Sequence, residues 1–195
     1  MKKYAVIDIG SNTVRMVIYT VEDTTFHALF SKKYTLGLAG YIQDGIMSQE
    51  GIHRLCGVLL ECRMLVNQFD IVQHFAFGTA SLRNIQNTRE TVDQIFLVTG
   101  FSVDVISGQA EAYLDYYGVV ADTPLENGLL FDIGGGSTEL VTMAHDGPGV
   151  IESLPIGSLN LAKEYVEKVF PKQSECEKIQ ARIRKELKKR KLHRL

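Results

Sequence analysis

Two phrases in this chain carry residue types suited to phosphate chemistry. They are Asp8-Ile9-Gly10-Ser11-Asn12-Thr13 and Asp132-Ile133-Gly134-Gly135-Gly136-Ser137-Thr138, 124 positions apart. Glycine lets a chain turn closely and bares its amides, so each loop can turn N–H groups toward an anion. Ser11, Asn12, Thr13, Ser137 and Thr138 would add hydroxyl or amide contacts to phosphate oxygens. Asp8 and Asp132, at strand ends, are placed to hold Mg2+ or another divalent cation, with Glu139 a third carboxylate nearby. Acids clustered beside phosphate loops would repel the substrate unless a cation lay between them. A single loop of this kind can be just a tight turn; two in one chain suggest two half-sites for one phosphate chain.

Two further residues have a place in such chemistry. Arg83 closes Phe77-Gly78-Thr79-Ala80-Ser81-Leu82-Arg83, a segment between a strand and a helix, where α/β proteins put ligands. Its planar guanidinium suits a phosphate, and pairing with Glu90 or Asp93 is an equally open reading. Glu111 sits in the first turn of the helix opened by Ser107-Gly108. An acid there complements the helix dipole whatever else it does. The dipole also keeps it ionised, which is tolerable where water must be positioned more than strongly activated.

The elements that must position these residues follow from apolar periodicity. Strands are expected at Tyr4–Ile9, Val14–Thr20 and within Phe26–Leu36, then a loop punctuated by Gly37, Gly40 and Gly45. Ser48 caps a helix with Ile52, Leu55, Leu59 and Val66 on one face. Ile71–Phe77 reads as a strand, Asn87 with Glu90 as a capping box for a helix to Gly100, and Phe101–Ile106 as a strand. The helix from Ser107-Gly108 runs to about Gly118 with Ala110, Tyr113, Leu114 and Tyr117 as its apolar stripe.

Asp122-Thr123-Pro124 to Asn127-Gly128 is a polar break and the expected domain boundary, dividing residues 1–122 from 123–195. Strands then restart at Leu129–Asp132, Thr138–Met143 and Val150–Leu154, with Asp146-Gly147 turning the last pair. One helix follows with Ala162, Tyr165, Val166, Val169 and Phe170 on a face. Another is capped by Ser174 with Glu177 and striped by Ile179, Ile183 and Leu187. Three strands and two helices make an unlikely finished domain, so a truncated second domain is expected. Surfaces left by it would allow a homodimer.

The totals narrow the class. With 195 residues, 45% hydrophobic and 23% charged, the chain has an ordinary soluble composition. No apolar run spans a bilayer, and Met1-Lys2-Lys3 leads straight into a strand with no room for a signal peptide. Cys56, Cys62 and Cys176 are odd in number and show no CxxC spacing, as expected of a cytoplasmic protein without a disulfide framework. Residues 178–195 hold nine Lys/Arg against Glu186 alone, while the first 177 residues hold 12 basic and 22 acidic side chains. Any anion site must therefore be local. No aromatic interleaves the basic tail, which argues against nucleic acid and for a solvated helix.

Four blocks in order resemble the exopolyphosphatase / guanosine pentaphosphate phosphohydrolase (Ppx/GppA) family of the actin-like ATPase superfamily. They are Asp8 to Arg15, Thr79 to Arg83, Ser107 to Ala112, and Asp132 to Glu139. The resemblance runs on through Leu154-Pro155-Ile156-Gly157-Ser158. It implies an α/β, RNase H-like fold: a mixed five-stranded sheet in the first domain and an incomplete second RNase H-like domain. It also implies release of the terminal phosphate from inorganic polyphosphate, or of the 5′-phosphate from pppGpp. Carried over by position, Glu111 resembles the catalytic carboxylate that orients or deprotonates water. Asp132 and Glu139 match acids that handle metal and water. Arg83 with Gly10–Thr13 and Gly134–Thr138 matches the phosphate clamp.

Two departures accompany the resemblance. Ala110 stands where the family usually has a second Glu, which would complete a capping box with Ser107; its loss loosens the helix start by up to ~1 kcal/mol. The chain is also shorter than the family. Two other readings stand beside hydrolysis: a non-catalytic module binding polyphosphate or guanosine penta/tetraphosphate, and a nucleotide-dependent kinase or ATPase of the same superfamily, whose adenosine-pocket sequence is absent here.

Overall fold

The structure is a computed structural model that describes residues 1–23, 25–123, 127–190 and 192. They form two compact units, Met1–Ser107 and Gly108–Leu195. In the first, β1 (Lys2–Ile9), β2 (Thr13–Glu22) and β3 (Thr25–Thr35) make an antiparallel meander. A 3-10 turn and the two-residue strands β4 (Ile42–Gln43) and β5 (Ile46–Met47) lead into α1 (Gln49–Gln68). There follow β6 (Gln73–Gly78), the short α2 (Ala80–Arg83), α3 (Thr88–Thr99) and β7 (Asp104–Val105). The sheet order is β3-β2-β1-β6-β7, five strands of mixed direction, with β6 parallel to β1 and β7 parallel to β6.

Alternation explains the central strands. Ala5, Ile7 and Ile9 of β1 and Val14, Met16 and Ile18 of β2 are fully buried on one face, under Ile52, Leu55, Leu59 and Cys62 of α1. Ser48 caps α1 as expected, its hydroxyl accepting from Gly51 N at 3.2 Å. Asn87 does not close a capping box. Its amide instead bonds both the N–H and the C=O of Met47, at 2.9 and 3.0 Å, tying α3 to β5. The strand expected over Phe101–Ile106 shortens to Asp104–Val105, since Phe101 is drawn into the core, where the Arg63 guanidinium lies 3.7 Å from its ring centroid.

The second unit holds α4 (Gly108–Asp122), β8 (Gly128–Ile133), β9 (Thr138–Ala144), β10 (Gly147–Leu154), α5 (Ser158–Tyr165) and α6 (Gln173–Lys189). Its sheet order is β10-β9-β8, the same sequence of pairings as β3-β2-β1. One face packs Leu140, Leu154 and Ile156 against Leu161, Ile183 and Leu187 of α5 and α6. α4 lies against the three strands of this sheet, so the seam falls before α4 rather than at the polar break near 122–128. Pro124 of that break, and Lys191, His193 and Arg194 of the basic tail, lie outside the described residues.

Three helical expectations shift in this unit. α4 runs past Gly118 to Asp122, and Tyr113, Leu114 and Tyr117 are exposed while Ala112 is fully buried. α5 stops at Tyr165, leaving Val169 and Phe170 outside it and exposed. α6 begins two residues earlier than Ser174 and Glu177 suggest, because Glu175 reaches back to the Lys172 N–H at 2.6 Å. Among the described residues no helix is long and apolar enough to cross a membrane.

Candidate functional site

In each unit the phrase read as a phosphate loop joins two antiparallel strands, and both loops close in the same way. Gly10 N donates to Thr13 O at 2.9 Å, and Gly134 N to Ser137 O at 3.0 Å. In the first loop, Ser11 O accepts from Ala39 N, and Asn12 O from Leu36 N and Gly37 N. In the second, Gly134 O accepts from Ser158 N, Gly135 O from Leu159 N, and Gly136 O from the Asn160 side-chain amide at 2.9 Å. The peptide bonds are trans, so each carbonyl points opposite the next residue's N–H. Holding the carbonyls back therefore turns the N–H groups of Asn12 and Thr13, and of Gly135, Gly136 and Ser137, to the other side of their loops. Rows of this kind are anion-binding concavities.

The second loop is also held by close packing. Gly157 passes so near that a Cβ there would lie 2.5 Å from the Gly135 carbonyl carbon and oxygen. Only glycine fits that approach. Two hydroxyls expected on phosphate are committed elsewhere: Thr138 Oγ1 donates to Ile156 O at 2.6 Å, and Ser137 Oγ donates to Glu139 Oε2 at 3.3 Å. Their protons are spoken for, which leaves the backbone amides as the donors of this loop.

In the first unit, Gly10, Thr79 and Ile106 stand just past the carboxyl ends of β1, β6 and β7, the ligand side of parallel strands. Thr79 N bonds Ile9 O at 3.2 Å, and Ile106 N bonds Gly78 O at 3.0 Å. Arg83 donates from Nη1 to Ile106 O at 3.0 Å. Asp93 faces Arg89 at 3.8 Å, and Glu90 accepts from Gln49 at 3.2 Å. Asp8 faces Arg15 across the β1–β2 ladder.

The second unit gathers acids. Among the described residues, Asp115, Asp132 and Glu139 each place a carboxylate oxygen within 4.8 Å of the others. Asp132 and Glu139 are direct partners across β8 and β9, and Asp115 comes from α4. Glu139 is 1% exposed, and its two oxygens accept from Ser137 and, at 2.7 Å, from Ser153 Oγ. Of the acids expected to hold metal, Asp132 and Glu139 come together and Asp8 lies in the other unit. Asp115 was not anticipated. Glu111 stands one helical turn before it, and that i, i+4 spacing on one face was the available signal. Glu111 itself is half-buried in the first turn of α4.

This donor set fits a divalent cation. Carboxylate oxygens are the hard ligands that Mg2+ and Ca2+ take, and Mg2+ needs only one or two of them beside water. Like charges directly opposite across a ladder are unfavourable, so Asp132 and Glu139 gain from a cation between them. Asp132, exposed at the loop edge, leaves such an ion open to solvent.

The sequence model of the Ppx/GppA phosphatase family matches residues 17–193. A Haemophilus influenzae protein provisionally named an exopolyphosphatase is 31% identical over 168 residues, which is 85% of this chain and 52% of that protein. A crystal structure of an exopolyphosphatase from Cytophaga hutchinsonii superimposes with a TM-score of 0.90 at 27% identity, over 95% of this chain and 61% of its own. A Ppx/GppA phosphatase from Aquifex aeolicus gives a TM-score of 0.73 at 27% identity, over 97% of this chain and 64% of its own. The chain thus spans about half the length of that curated relative and under two thirds of these solved structures. It belongs to the Ppx/GppA phosphatase family, and its first unit carries a five-stranded mixed sheet in an α/β fold.

Proposed function

We propose that this member of the Ppx/GppA phosphatase family serves a phosphohydrolase that releases terminal phosphate from inorganic polyphosphate, or the 5′-phosphate of pppGpp. The observation that carries this reading is the second unit's arrangement: three carboxylates converge where β8 and β9 join the loop whose amides turn away from α5. The N–H groups of Gly135, Gly136 and Ser137 would hold oxygens of a phosphoryl group, and the loop of the first unit offers a second nest of the same kind. Arg83, fixed through Ile106 O, would add charge to that nest.

Phosphoryl transfer needs an in-line nucleophile and charge stabilisation more than a strong base. Glu111 is the residue to orient the attacking water and take its proton, as the bond between the terminal phosphorus and its bridging oxygen breaks. Asp115, Asp132 and Glu139 would hold the divalent cation, which offsets charge on the leaving phosphate when bound. The test is release of inorganic phosphate from polyphosphate, pppGpp and ATP by this chain and by Glu111→Ala. A loss of about 10²–10⁴-fold in kcat on substitution is expected. Equal release by both chains would leave binding alone, and faster turnover of ATP would favour a nucleotide enzyme.

A further inference from the structure

We infer that Ser153 is a positioning residue of the cation centre, acting through Glu139; this rests on the proposed centre itself. Ser153 is the β10 partner of Glu139, just as Asp132 is its β8 partner, so the three form one row across the sheet. The Ser153 hydroxyl donates to Glu139 Oε1 at 2.7 Å, the ordinary length for a strong O–H···O bond, whereas the Ser137 bond to Oε2 is 3.3 Å. A hydrogen bond to an ionised acceptor is roughly twice as strong as a neutral one. With one hydroxyl on each oxygen, the plane of a buried carboxylate is fixed, and the shorter bond does most of the fixing. A small cation demands such placement, because Mg2+ tolerates little departure from octahedral geometry. Strand pairing supplies the position and a small hydroxyl residue supplies the bond.

The experiment is titration of the whole chain with Mn2+, followed by loss of the free-ion electron paramagnetic resonance signal. It compares wild type with Ser153→Ala and with the shape-matched pair Ser153→Thr and Ser153→Val. Partners of metal ligands typically contribute 10–100-fold in affinity, so Ser153→Ala and Ser153→Val should raise the Mn2+ Kd by that factor. Ser153→Thr should restore it to within about threefold, which a purely structural role would not separate from Val. If Ser153→Val fails to fold, Ser153→Ala against Ser153→Thr decides. Wild-type Mn2+ affinity in the hydroxyl-free variants overturns the role of Ser153 and leaves the centre standing. No Mn2+ uptake by the wild-type chain overturns both.

Discussion

Asp8 faces Arg15 and Arg15 faces Lys33 in the first unit; Asp132 faces Glu139 and Glu139 faces Ser153 in the second. The two rows occupy the same register behind loops closed by the same hydrogen bond. The first row offsets its own acid with two bases. The second sets an acid against an acid, and gains from a cation. Side chains at two positions thus separate a pair of like backbones into one hairpin that sets bases beside its acid and one whose acids fit a divalent cation. Burial separates them again. Ala5, Ile7 and Ile9 of β1, flanked by β2 and β6, are 0% exposed. Their counterparts on β8, an edge strand, are Leu129, Phe131 and Ile133 at 43, 50 and 69%.

The widest gap this comparison predicts is between the same deletion made in the two strands. Ile7→Ala removes a fully enclosed side chain and should cost about 2–5 kcal/mol in urea unfolding. Ile133→Ala, on the exposed edge, should stay within about 0.5 kcal/mol. Comparable losses would break the contrast, since they would mean that β8 is covered in solution.

The strands and both loops were legible in the residues because their signals are local. Period-two alternation and a glycine turn need no distant partner, so β1, β2, β8 and β9 lie where the apolar pattern puts them. What was illegible was set from afar. Asn87 spends its amide on Met47, forty residues away in sequence, which no capping pattern reveals. α4 turns Ala112 inward and Tyr113, Leu114 and Tyr117 outward because its packed face is chosen by the second sheet. With the stripe misassigned, Asp115 was overlooked as a partner of Asp132 and Glu139. Ser153 was invisible for a similar reason: its value depends on the β9–β10 register alone.

An intermediate effect is expected where the loops are clamped. A Cβ at Gly157 would meet backbone atoms of Gly135 and Gly136 at 2.5–2.6 Å, so Gly157→Ala must push the second loop and should cost about 1–3 kcal/mol. The corresponding segment of the first unit uses Gly37 differently. Its φ of 65° is left-handed, but nothing lies within 4 Å of an added Cβ. Gly37→Ala should therefore cost only about 1–2 kcal/mol of backbone strain and leave the first loop in place. Mn2+ titration sharpens the difference: Gly157→Ala should weaken cation uptake and Gly37→Ala should not.

The gentlest probe of the two units changes no residue. Cys62 is fully enclosed in the first core, and burial pushes its thiol pKa up to about 11, while Cys176 is partly exposed in the second unit. Thiolate is the reactive form, so at pH 8 a thiol reagent should modify Cys176 quickly and Cys62 only as fast as the first core opens. The raised pKa also has a stability consequence with a definite sign. The folded chain keeps the Cys62 proton where the unfolded chain loses it, so this contribution is fully present below about pH 9 and lost as pH rises toward about 11. Labelling of Cys62 should thus accelerate over that window beyond what thiolate formation alone explains. Equal labelling rates for Cys62 and Cys176 at pH 8 would mean that the first core opens as readily as the second unit, and that β1 gains no protection from its central place.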